Sequence, residues 1–188
     1  MGKVSLADVE SVADHTFGVT YLALLLAKLE NALRTAEPLN IEQVLTKAVL
    51  HDLVEARYLD LDRSTTELLG PDEDKRWKSL LDSRATEGLT TDWEGLAVAV
   101  GVQPEKGQVL AAALHEAVVD KTSPEARLVE VADKLDLYLQ AQHYVRRGRI
   151  QSSEAEPFIR SALVAIKQHS AEFQVLIGFA KAGILPPG

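Results

Sequence analysis

The chain has 188 residues, 46% of them hydrophobic and 26% charged; these are the proportions of one ordinary globular domain, and a core that hides roughly 70% of the unfolded surface excludes wholesale disorder. Twenty Lys and Arg against 28 Asp and Glu leave a formal charge of -8, which repels nucleic acid, since binding there needs clustered cations to neutralise phosphates. The sequence has no cysteine, so disulfides, thiolate metal sites and a cysteine nucleophile are excluded, a metal ion would rest on His, Asp, Glu or backbone oxygens, and a reducing cytoplasm is the expected setting.

Val19, Leu22, Leu26, Leu29 and Leu33 recur at spacings of three and four, which predicts a first helix from near Ser11 to Arg34 with one buried stripe. The longest apolar run there, Tyr21 to Ala27, has seven residues, far short of the ~20 that a bilayer span needs. No membrane helix is expected. Met1 to Asp14 carries Asp8, Glu10 and Asp14 and lacks the apolar centre of an export signal. Pro38 breaks the chain, and Asn40 with Gln43 opens a second helix through Val44, Leu45 and Ala48 that contains His51 and Asp52.

Between Leu59 and Gly101 the turn-formers Gly70, Pro71, Gly88 and Gly95 predict shorter helical pieces around Lys75 to Arg84 and Asp92 to Val100. Pro104 starts another helix, and Ser123 followed by Pro124 caps a long one reaching Arg147, closed by Gly148. Glu156 and Pro157 open a last helix running through Ile166, Phe173 and Leu176 to near Gly183. No run alternates with period two, and no linker or repeat divides the chain. The expected fold is therefore all-α, a single helical bundle over residues 1–188, whose metal or catalytic side chains would converge from facing helices.

Of five histidines, His15 and His51 sit beside acids in apolar helical contexts, in Ala13-Asp14-His15 and in Leu50-His51-Asp52-Leu53. Helical neighbours lie about 100° apart, so one ion between His51 and Asp52 can be gripped by both without the geometry demanding it. Glu55 returns to within about 40° of His51 and could touch a metal-bound water. Asp60 would point about 180° away on an unbroken helix. Asp133 stands among Val131, Ala132, Leu135 and Leu137 and needs compensation if buried; metal coordination, a salt bridge and solvent exposure all supply it.

The order of His15, His51-Asp52 and Asp133 resembles the metal signature of the HD-domain phosphohydrolase superfamily. More narrowly, Glu10 to Thr16, Leu50 to Ala56, Ser123 to Ala126, Asp133 to Asp136 and Leu139 to Ala141 resemble, in order, five segments of the HD-domain 5'-deoxynucleotidase group. That resemblance implies a single HD domain with His15, His51, Asp52 and Asp133 as ligands of one divalent ion. Co or Mn is favoured, with Fe, Ni, Zn or Mg also compatible with nitrogen and oxygen donors. It implies hydrolysis of deoxynucleoside 5'-monophosphates; Glu55 is the residue expected to orient or deprotonate the attacking water or to protonate the leaving oxygen.

Asp60 matches a family aspartate that usually follows glycine, here Leu59. Arg57 and Lys134 are the cations nearest the ligands in sequence, and either could meet phosphate or serve as a salt-bridge partner. The Arg and Trp that precede the first motif in relatives have no counterpart, with only Lys3 upstream. Either the natural start lies further upstream or the substrate pocket differs. Another small nucleotide or phosphoester, or a helical binding protein with the metal as a staple, are the alternative readings. The resemblance also implies a homodimer.

Overall fold

The computed structural model describes residues 11–35, 37–53 and 71–185. Among them the helices are α1 (Val12–Leu33), α2 (Ile41–Leu50), α3 (Pro71–Ala99), α4 (Pro104–Val119), α5 (Pro124–Arg146), α6 (Ser152–Gln168) and α7 (Gln174–Lys181), with no strand. The expected all-α class holds. Contacts divide the chain into two compact units with boundaries after Ala48 and after Asp120. The first holds α1, most of α2 and α5 to α7; the second holds α3 and α4.

In the first unit α5 packs against both α1 and α6, and α1 also meets α7. The start of α1 is fixed by a capping box. Ser11 Oγ accepts the Asp14 N–H at 3.1 Å, while Asp14 Oδ2 accepts the Ser11 N–H at 3.2 Å and its hydroxyl at 2.7 Å. The Ser11 hydroxyl first, and its backbone N–H second, hold the Asp14 carboxyl below its usual pKa.

The buried line of α1 is Val19, Ala23, Leu26, Ala27 and Glu30. Leu29 and Leu33, expected in that stripe, are exposed. The alanines at 23 and 27 let the neighbouring helices approach closely, which centres the contact on their side of α1 and leaves the two leucines at its margin. By length and composition alone α1 could cross a membrane, the one described helix that could, which the short Tyr21 to Ala27 run did not foretell. Its core-facing stripe nevertheless includes a fully buried carboxylate, Glu30, whose Oε2 accepts the Val175 N–H at 3.0 Å at the start of α7. That carboxylate satisfies an orphan amide of the helix terminus and meets its positive dipole end.

Asn40 Oδ1 accepts the Gln43 N–H at 3.2 Å, so α2 begins where its cap predicts. Ser123 caps α5 by accepting the Ala126 N–H, and Gly148, at φ 67°, takes the left-handed conformation that ends it.

Three expectations fail in the later helices. The last helix is two, broken between Gln168 and Gln174 around the fully buried Phe173. The first of them begins at Ser152 rather than at Pro157, because Glu154 Oε2 accepts the Gln151 N–H at 2.7 Å and fixes an earlier start. In the second unit, the two predicted pieces are one helix, α3, running through Gly88 and Gly95. A helical glycine costs about 1 kcal/mol relative to alanine, and packing on α4, with Leu89 and Ala97 buried, outweighs it.

An ion-pair chain ties α5 to the α6–α7 turn. Arg127 Nε reaches both Glu172 oxygens, at 2.7 and 2.8 Å, and His169 lies 3.7 Å from Glu172 and 3.3 Å from Glu130. Burial alone would raise the Glu172 pKa, but Arg127 and then His169 outweigh it and hold the carboxyl below its ordinary range. A depressed acid stabilises the fold above its unfolded pKa and loses that contribution as pH falls through its folded value. Urea midpoints of wild type and Glu172→Gln should therefore differ at pH 7 and converge at a pH below the glutamate range of about 4.3. An unchanged gap at acid pH would contradict this.

Candidate metal centre

His15 lies one turn into α1, and its ring stands between two carboxylates of α5. Nδ1 is 2.8 Å from Asp136 Oδ2, and Nε2 is 3.4 Å from Asp133 Oδ1. Asp133 and Asp136 are three residues apart on a helix, so they rise from the same face one turn from each other. All three side chains are largely withdrawn from water, at 22%, 23% and 15% exposed. Asp133 Oδ2 also accepts Lys134 Nζ at 2.7 Å, so Lys134 sits on a ligand candidate as its ion-pair partner.

His51 and Asp52 follow α2 directly, and His51 Nε2 lies 3.2 Å from Asp52 Oδ2, with the two side chains 11% and 19% exposed. Glu55, Arg57 and Asp60 lie outside the described residues. His115 is 3.2 Å from Thr90 Oγ1, and His143 is exposed on α5.

The donors at His15 fit a divalent ion. They are imidazole nitrogen and carboxylate oxygen without sulfur, the set that suits borderline first-row metals. Two donors each about 2.1 Å from one ion stand 3.4 Å apart when they subtend an angle of roughly 108°, and that is the spacing of His15 Nε2 and Asp133 Oδ1. Two carboxylates largely withdrawn from water beside one imidazole also favour positive charge, of which Lys134 supplies one unit.

Residues 3–171 match the family model of the HD domain. The chain belongs to the HD domain family. This HD domain is similar to a solved protein of Pyrococcus horikoshii OT3, at 30% identity over 87% of this chain and 76% of that one, with a TM-score of 0.54. It is similar to a conserved hypothetical protein of Pyrococcus furiosus at 29% identity, covering 86% and 76%, with a TM-score of 0.56. An HD-domain phosphohydrolase of Listeria innocua shares the fold, at 19% identity and a TM-score of 0.66 over 92% of this chain and 72% of that one. No match is found among curated proteins.

Within the HD domain, Asp136 is the site residue that the sequence reading did not single out. Its spacing was the available signal, since an acid three residues beyond Asp133 on one helix must share its face.

Proposed function

We propose that this HD domain is a metal-dependent phosphohydrolase of small phosphoesters, with deoxynucleoside 5'-monophosphates as its favoured substrates. The observation that carries the reading is His15 of α1 held against Asp133 and Asp136 of α5, a nitrogen and oxygen donor set built from two packed helices. The Listeria relative named as an HD-domain phosphohydrolase agrees with it. His15, His51, Asp52 and Asp133 would hold the ion. When bound, it polarises a phosphoryl oxygen and offsets negative charge.

Two neutral imidazoles and two carboxylates sum to -2, so a divalent ion makes the site formally neutral and an anionic phosphate can approach a chain of net charge -8. Glu55 would take a proton from the attacking water or give one to the leaving oxygen as the phosphorus–oxygen bond breaks and the nucleoside departs as an alcohol. Arg57 and Lys134 would face the phosphate oxygens, with Lys134 already 2.7 Å from Asp133. Asp60 would support the same acid–base step. The family resemblance also supports a homodimer.

The test is phosphate release from a panel of nucleotides and simple phosphoesters with Mn2+ or Co2+. Release from deoxynucleoside monophosphates, lost in His51→Ala, is the expected result. Release only from other substrates would reject the nucleotidase assignment, and release from none by metal-loaded wild type would reject the hydrolase.

A further inference from the structure

We infer that Asp136 is a positioning residue that fixes the tautomer and the aim of the His15 ring, and that α1 carries glycine at position 18 to make room for it. The inference rests on the proposed metal centre. Its first support is the 2.8 Å contact from His15 Nδ1 to Asp136 Oδ2. An ionised carboxylate can only accept hydrogen bonds, so Nδ1 must be the donor and a neutral ring must present its Nε2 lone pair on the opposite edge. That edge faces Asp133 Oδ1 at 3.4 Å. A histidine whose second nitrogen is held by a carboxylate is oriented and made more basic toward a metal, and losing such a partner typically weakens metal binding about 10- to 100-fold.

The second support is independent of the ring. A Cβ added at Gly18 would meet Asp136 Oδ1 at 2.5 Å and Cγ at 3.1 Å. Gly18 follows His15 by three residues, so the imidazole and the bare backbone lie on neighbouring turns of one face, and the Asp136 carboxylate nests between them. In a helix interior alanine is otherwise better than glycine by roughly 0.5–1 kcal/mol. Glycine at 18 thus forgoes helix stability at the place where a methyl group would strike the carboxylate that holds His15.

The experiment uses the full chain as wild type, Asp136→Ala, Asp136→Glu and Gly18→Ala. Two readouts are taken: the Mn2+ dissociation constant by calorimetry, and the His15 ring tautomer in metal-free protein by long-range proton–nitrogen NMR at pH 8. Wild type is expected to carry its proton on Nδ1. Asp136→Ala is expected to lose that preference and bind Mn2+ about 10- to 100-fold more weakly, and Asp136→Glu to recover part of both. Gly18→Ala should weaken Mn2+ binding in the same direction while circular dichroism shows α1 undiminished, an outcome that a merely structural Asp136 would not give.

An unchanged tautomer in both Asp136→Ala and Gly18→Ala overturns the inference, as does Mn2+ affinity within twofold of wild type in both. If wild type binds no Mn2+ at all, the metal reading fails. The tautomer measurement, which needs no metal, then still decides whether Asp136 orients the ring.

Discussion

Asp133→Ala is expected to abolish metal-dependent turnover and to weaken divalent metal binding by more than about 100-fold, beyond what loss of an outer partner costs. Asp133 supplies the oxygen that faces His15 Nε2. Asp136 engages the opposite nitrogen, Nδ1, at 2.8 Å. The metal-free fold should survive, because Asp133 is 23% exposed and the Lys134 ammonium it leaves is 34% exposed and can be hydrated. Metal content by elemental analysis, with a thermal melt of the metal-free protein, separates the two effects. A variant that keeps both its metal and its turnover would remove Asp133 from the ligand set and break the proposed centre.

Glu30→Ala is expected to be the most damaging change away from that centre. Glu30 is 1% exposed and its carboxylate accepts the Val175 N–H at the start of α7, where Phe173 offers no side-chain cap. Alanine would leave a buried amide unsatisfied, at about 1–3 kcal/mol, and would open space where the glutamate stem packs, bringing the loss to roughly 2–4 kcal/mol. Glu30→Gln keeps an acceptor and should lose only about 1 kcal/mol. Urea unfolding of both variants checks the order. Equal losses would mean that the charge, rather than the hydrogen bond, holds α7; no loss in either would mean that α7 docks without Glu30.

Much of the fold was legible because local chemistry fixes it. Ser11, Asn40 and Ser123 each bond an amide within the next three residues, and Gly148 ends α5 by a conformation that other residues rarely adopt. The failures lie where distant contacts decide. Nothing between Gln168 and Gln174 is a glycine or proline. The chain breaks there around buried Phe173, and Glu30, far away in sequence, caps the helix that follows. Gly88 and Gly95 read as breakers, yet α3 passes through them because its other face is packed.

The same division runs through the site. His15, the His51-Asp52 pair and Asp133 were found by their order along the chain, and the structure brings His15 and Asp133 together. Asp136 was overlooked because an acid in an amphipathic helix is usually a solvated one. Only its distance to a particular nitrogen distinguishes it.

The first unit is assembled from two stretches of chain separated by the excursion of residues 49–120. Close to its two crossing points, the Asn40 N–H donates to Glu125 Oε1 at 2.9 Å, a clasp between the outgoing and returning strokes. Closure entropy rises only logarithmically, by about 0.6 kcal/mol for each doubling of a flexible loop. Lengthening the turn between α3 and α4 should therefore leave the host almost equally stable while slowing its folding, since the returning α5 cannot dock until the detour has been made. Beyond the proposed site residues His51 to Asp60, such a layout gives evolution a tolerant place to vary sequence length without disturbing the helices that carry His15 and Asp133.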